Sequence, residues 1–126
     1  MQLLLDTHIL LWWLGNPARL DNNVRSWISH PENAVLISTA TLWELRIKEK
    51  LGKLQLPSGF DRALDDAEFG WLPISRAHAN ATAHLPLHHS DPFDRMLVAQ
   101  AQEENLTLIT ADTRVALYGK NIWFMS

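Results

Sequence analysis

The chain has 126 residues, 47% of them apolar, which suits one domain with a real core and leaves no comfortable room for a second. It lacks cysteine, so disulfides, thiolate metal sites and cysteine nucleophiles are excluded, and a reducing cytoplasm fits. A formal net charge of −3 argues against a generally basic nucleic-acid surface; a phosphate backbone must be met by a cation or by scattered lysines and arginines.

Gln2 to Leu5 reads as a buried strand, and the apolar run breaks at Asp6, Thr7 and His8. Thr7 to Leu14 reads as a short helix or turn, closed by Gly15-Asn16-Pro17. Ile9 to Leu14 is far shorter than the ~20 apolar residues of a membrane span, and no basic region precedes it. A soluble protein without a targeting segment is therefore expected. Asp21 to His30 is predicted to be helical, with Asp21 as N-cap and Pro31 beyond its end. Ala34 to Ser38 is a second buried strand. Thr39 to Leu51, with Leu42, Leu45 and Ile47 among charged residues, is an amphipathic helix stopped by Gly52.

Ser58 to Phe69 is predicted as a further helix, Trp71 to Ile74 as a short strand, and Arg76 to Leu85 as a helix ending before Pro86. Pro92 to Glu104, rich in Ala, Leu, Met, Gln and Glu, is the clearest helix in the chain. Leu106 to Thr110 is a strand and Ile122 to Phe124 a final edge strand. Apolar strands separated by helices favour parallel pairing through right-handed crossovers, with helices over both faces. The expected fold is a single three-layer α/β/α domain with a central, mostly parallel sheet. Ligands of such sheets lie outside the carboxyl ends of the strands.

Four acidic residues fall at that edge: Asp6, Glu44, Asp94 and Asp112. Charge beside an apolar core is costly and rarely helps folding. Asp6 ends the first strand and can also cap the helix that follows. Glu44 comes early in the helix after the second strand, with Lys48 at i+4 as an ordinary surface partner. In Asp91-Pro92-Phe93-Asp94-Arg95, proline takes the first helical position, which puts Asp91 at the cap and Asp94 in the first turn. Asp112 follows the Leu106–Thr110 strand; it opens a turn into Thr113 and Arg114 or faces the same edge as the others. The Thr110 hydroxyl is a candidate to orient a carboxylate. Converging carboxylates suggest a cage for a hard divalent cation and hydrolysis of a phosphodiester.

Arg46, Lys48, Lys50 and Lys53 follow Glu44 along one helix and the turn beyond, as candidates to track a phosphate backbone or as a plain solvated face. Arg95 is a candidate to pair with an acid or to touch RNA. His84, His88 and His89 match no strong ligand spacing and read as loop residues, one of them near the pocket; His8 is expected to point elsewhere. Trp12 and Trp13 read as core, with an interface as the alternative. Trp43 reads as packed, with stacking on a base as the alternative.

Taken together, Leu-Leu-Leu-Asp6-Thr7-His8, the Ser38-to-Glu44 segment, Asp91-Pro92-Phe93-Asp94-Arg95 with Ala99-Gln100-Ala101, and Leu-Ile-Thr110-Ala-Asp112 resemble the PIN-domain family. The similarity is greatest to its VapC-type toxin ribonucleases and runs in order along the whole chain. The resemblance implies an endoribonuclease that uses Mg2+ or Mn2+, with Asp6, Glu44, Asp94 and Asp112 matching the family's four acids and Thr7, Asp91 and Thr110 in support. It also implies a homodimer silenced by a small antitoxin. The rival expectations are a housekeeping nuclease of the same family acting on structured RNA or DNA, and a non-catalytic binding module on the same fold.

Overall fold

Leu3, Leu4 and Leu5 have no exposed surface, because the strand that carries them runs through the middle of the sheet. The computed structural model describes residues 1–126. Five strands, β1 (Gln2–Leu5), β2 (Ala34–Ser38), β3 (Gly70–Leu72), β4 (Thr107–Thr110) and β5 (Ile122–Phe124), form one sheet in the order β3-β2-β1-β4-β5. Every neighbouring pair is parallel, with Leu4 opposite Leu36 on one side and Leu5 opposite Ile109 on the other.

The helices are α1 (Thr7–Gly15), α2 (Asn22–Ser29), α3 (Thr39–Lys50), α4 (Phe60–Asp66), α5 (Arg76–Thr82), α6 (Pro92–Glu103) and α7 (Thr113–Ala116). Side chains of a strand alternate between faces, and β1 shows the two layers this builds. Leu3 and Leu5 join Ile9, Leu10, Val24, Leu45, Phe60 and Leu64 on one face. Leu4 joins Leu97, Val98, Ala101, Val115 and Tyr118 on the other. Each fully buried Leu or Ile contributes on the order of 1.5–3 kcal/mol, so three consecutive leucines at the centre serve both layers at once.

The chain works outward from β1 to β2 and β3, then returns to the other side of β1 for β4 and β5. The order therefore reverses between β1 and β4. A crevice opens at the carboxyl ends of two strands whose connections diverge in this way. Asp6 directly follows the first of those ends, and Asp112 lies two residues past the second.

The sheet is wholly parallel, and several boundaries differ from expectation. Helix α4 starts at Phe60 rather than Ser58, because Gly59 is left-handed at φ 72 and cannot continue a helix. Strand β3 stops at Leu72, because Pro73 has no N–H to extend the ladder. Helix α5 stops at Thr82; the next residues tighten into three-residue turns, with Ala83, His84 and Leu85 donating to Asn80, Ala81 and Thr82. Helix α7, where the sequence suggested only a turn, forms behind the Asp112 cap.

Candidate active site and metal centre

Asp6 leaves β1 with its carboxylate turned back onto the start of α1. Its Oδ1 accepts from the Thr7 amide at 2.7 Å and its Oδ2 from the Thr110 hydroxyl at 2.6 Å. Thr110 also accepts from the Asp112 amide at 3.1 Å. Thr7 turns the other way and donates from its hydroxyl to Glu44 Oε1 at 2.8 Å. The two threonines thus join the ends of β1 and β4, the first turn of α1 and the second turn of α3 around Asp6.

Glu44 is buried, and its second oxygen accepts from Lys48 Nζ at 2.7 Å. The ordinary i+4 pair is therefore real, but it reaches into the site rather than lying on the surface. Asp91 caps α6 as expected, its Oδ1 accepting from the amides of Phe93 at 2.9 Å and Asp94 at 3.0 Å. That leaves Asp94 in the first turn of the helix, buried, with Oδ2 3.2 Å from His89 Nε2. Asp112 caps α7 and is gripped by Arg114 through the backbone amide at 2.8 Å and the guanidinium at 2.9 Å.

The electrostatics separate these groups. Asp94 is pushed up to about 7, first by burial and then by the negative charges of Asp6 and Asp91, with Glu44 adding and the His89 bond opposing. Burial likewise pushes the Asp6 carboxyl above the ordinary range, against hydrogen bonds from Thr110 and Thr7. Asp112 goes the other way, because Arg114 holds it below the usual carboxylate range. Asp6, Glu44, Asp91 and Asp94 therefore share one field, and Asp112 stands at its margin with its own cation.

A cleft of about 350 Å³ opens over the crevice, lined by Asp6, His8, Trp12, Ala111, Asp112 and Thr113. Glu44 and Asp94 are not in its lining and join the site through their contacts and charge coupling with Thr7 and Asp6. No three of the acidic or histidine side chains already surround one point as ligands. The closed cage expected from the sequence is instead a shared edge, where each carboxylate has taken its own donor. Lys48, Arg114 and His89 hold three of them. The donor set still fits a hard cation: it is carboxylate oxygen throughout, and Asp94, raised first by burial and then by the charges of Asp6 and Asp91, lacks a partner that offsets them.

Several expectations need correction. His8 does not point elsewhere; it lines the cleft, with Trp12 one turn later at a ring distance of 6.0 Å. Trp12 belongs partly to the cleft and carries Arg19 over its ring at 4.3 Å. Trp43 is 60% exposed rather than packed, edge-on to Phe93 at 5.3 Å. Arg95 is not free for RNA: its guanidinium donates to the carbonyls of Pro86, Thr82 and Leu85 and to the Tyr118 hydroxyl. Lys48 is committed to Glu44, and Arg46 pairs with Glu49 and Asp61. Only Lys50 and Lys53, exposed and without ion pairs, remain from that group as candidate phosphate contacts. Tyr118 carries no sequence signal for its place beside the site, and Arg114 carries only its position two residues past an N-cap aspartate.

The family model of the PIN domain matches residues 3–121. The chain belongs to the PIN domain family. This PIN domain is 28% identical over 116 residues to ribonuclease VapC22 of Mycobacterium tuberculosis, across 89% of this chain and 88% of that protein. Its fold is similar to a chain of VapBC2 from Rickettsia felis, solved bound to a DNA fragment from their promoter, with a TM-score of 0.73 and 19% identity over 99% of this chain and 98% of that one. FitAcB from Neisseria gonorrhoeae gives a TM-score of 0.68 and 22% identity over 98% and 96%. At these identities the solved structures speak for the fold alone. No helix of this PIN domain is long and apolar enough to cross a membrane.

Proposed function

We propose that this PIN domain is a Mg2+- or Mn2+-dependent endoribonuclease of the VapC type, the cytoplasmic toxin of a toxin–antitoxin pair. The observation that carries the reading is the surplus of negative charge at the strand-order reversal: Asp94 is pushed up to about 7 by burial and by Asp6, Asp91 and Glu44. Such crowding is expensive for folding and useful for holding a divalent cation. The likeness to ribonuclease VapC22 supports RNA as the substrate. A small antitoxin partner and a homodimer complete the proposal; the likeness of fold to VapBC toxin–antitoxin structures supports the first.

Asp6 and Asp94 are assigned to the principal ion, with Glu44 and Asp112 completing the acidic edge. When bound, the ion supplies a water of lowered pKa and a clamp on the scissile phosphate. The protein supplies orientation. Thr7 and Thr110 fix both oxygens of Asp6, and Asp91 fixes the helix start that carries Asp94. Lys48 and Arg114 balance Glu44 and Asp112 until a cation and a phosphate arrive. His8 and Trp12 shape the cleft where a nucleotide would lie. No side-chain nucleophile is needed: in-line attack of water on phosphorus, with the bond to the 3′-oxygen breaking and that oxygen taking a proton, would leave a 5′-phosphate and a 3′-hydroxyl.

A second reading is favoured by those same ion pairs. A binding module on this fold would keep Glu44 and Asp112 neutralised by Lys48 and Arg114 and need no metal. Matched RNA and DNA incubated with the purified protein in Mn2+, in Mg2+ and in EDTA separate the readings. RNA cleavage that needs metal and vanishes in the double variant Asp6→Asn, Asp94→Asn is expected. Equal cleavage by the double variant would leave the assignment without support. Growth arrest on expressing the chain, absent with Asp6→Asn, tests the toxin role against a housekeeping nuclease.

A further inference from the structure

A row of side chains stands behind Asp94 that an acidic site does not by itself require. Arg95 Nη1 donates to the Pro86 carbonyl at 2.9 Å and to the Tyr118 hydroxyl at 2.9 Å. A guanidinium only donates, so Tyr118 accepts there. The single phenolic proton is left for the other neighbour, His89 Nδ1, at 2.9 Å. Nδ1 is then an acceptor, and the imidazole carries its proton on Nε2. Nε2 lies 3.2 Å from Asp94 Oδ2, so that proton points at the carboxylate. With Asp94 ionised, the opposite tautomer would set a nitrogen lone pair against the carboxylate and leave the Tyr118 proton without a partner. Tyr118 is 8% exposed and the His89 side chain 7%, so water does not readily replace either contact.

We propose that His89 and Tyr118 are positioning residues for Asp94: the chain Arg95 to Tyr118 to His89 fixes the imidazole as the Nε2–H form and holds Oδ2, so that the carboxylate that would bind the divalent cation keeps one orientation. The inference rests on reading Asp94 as a metal ligand. Partners of ligating carboxylates orient them, and their loss typically weakens metal binding by about 10–100-fold. Arg95 has a second effect here. It anchors Tyr118 to the loop carbonyls that precede α6, so the fold of that loop and the aim of the carboxylate are one construction.

The test uses the whole chain without substrate. Mn2+ binding is measured by titration calorimetry, and the His89 tautomer is read from long-range 15N–1H spectra of the metal-free protein. Wild type is expected to show the Nε2–H form, and Tyr118→Phe a mixture with the Nδ1–H form. His89→Ala is expected to weaken Mn2+ binding by about 10–100-fold, in the range for such partners. His89→Gln, whose side-chain N–H can reach the same oxygen, should recover most of that loss, and Tyr118→Phe should show a smaller one. Asp94→Asn should abolish binding. If Asp94→Asn binds Mn2+ like wild type, the ligand reading fails and the inference goes with it. If Asp94→Asn loses binding while His89→Ala keeps it, the ligand reading stands and the positioning role is overturned. Should His89→Ala fail to fold, Tyr118→Phe decides, since it deletes one oxygen: an unchanged tautomer and unchanged affinity overturn the proposal.

Discussion

The Thr110 hydroxyl donates to Asp6 Oδ2 at 2.6 Å, joining two residues 104 positions apart at the ends of neighbouring strands. Both are buried, and the acceptor is a carboxylate, so this is a charge-assisted bond in a low-dielectric place. Thr110→Val keeps the shape and removes the donor. It should destabilise the fold by about 1–3 kcal/mol, the cost of leaving a buried polar group unsatisfied. RNA cleavage should fall as well, because one Asp6 oxygen loses its aim, and Thr110→Ser should restore both. Calorimetric melting in EDTA and single-turnover cleavage check the two effects separately.

The pH dependence of the metal-free protein has a definite sign. Asp94 ionises near 7 in the fold against 3.8 for the ordinary group, and Asp6 is raised as well. Between those values the folded state holds more protons than the unfolded one, so stability falls as pH rises. The contribution is fully present below about 4 and is lost as pH passes through 7. Asp112 acts oppositely, since its lowered carboxyl withdraws stability only below the ordinary aspartate range. Melting temperature in EDTA should therefore decline from pH 5 to pH 8, and Asp94→Asn should flatten much of that decline. A rising profile for the wild type would contradict the crowding of Asp6 and Asp94.

Adding metal should reverse that trend. A cation would compete with the proton on Asp94, so Mn2+ affinity should climb with pH toward 7 and above. A ligand bound only by the folded state stabilises by about 2.7 kcal/mol at a hundredfold excess over its dissociation constant. Millimolar Mg2+ or Mn2+ should raise the melting temperature of wild type and leave the double variant Asp6→Asn, Asp94→Asn unmoved. No shift in the wild type would mean that the acidic edge does not gather around an ion.

How much of this was legible beforehand depended on whether the signal was local. The strands were readable because apolar runs such as Leu3-Leu4-Leu5 have one low-energy place, and the caps because Asp21 and Asp91 act within three residues of themselves. Asp6, Asp94 and Asp112 could be placed at one edge because each adjoins a strand end or a helix start. What could not be read was which donor each acid would take. Thr7 with Glu44, Thr110 with Asp6 and His89 with Asp94 depend on how α1, α3 and α6 sit over the sheet. His8 faces the cleft against expectation: one residue along a helix turns the side chain by about 100°, and the direction of α1 over the crevice decides which side faces the cleft. Arg95 looked available beside Asp94, yet the turns after α5 bring three carbonyls to it.

Arg95 gives a prediction that separates holding the fold from holding RNA. Its guanidinium serves the carbonyl of Thr82 at the end of α5, the loop carbonyls of Leu85 and Pro86, and Tyr118, with four bonds of 2.9 to 3.4 Å. Arg95→Met keeps the aliphatic stem and removes them all. Hydrogen bonds to charged groups contribute about 1.5–3 kcal/mol singly and do not add, so a loss of roughly 2–4 kcal/mol is expected. A side chain so committed does not neutralise phosphate. On an Asp6→Asn background, which prevents cleavage, the slope of log affinity against log salt should be unchanged by Arg95→Met. Each phosphate contact to single-stranded RNA accounts for about 0.7 of that slope, so Lys50→Ala and Lys53→Ala should each lower it if those exposed lysines touch the backbone. A reduced slope with Arg95→Met would show that the loop releases the arginine when RNA binds.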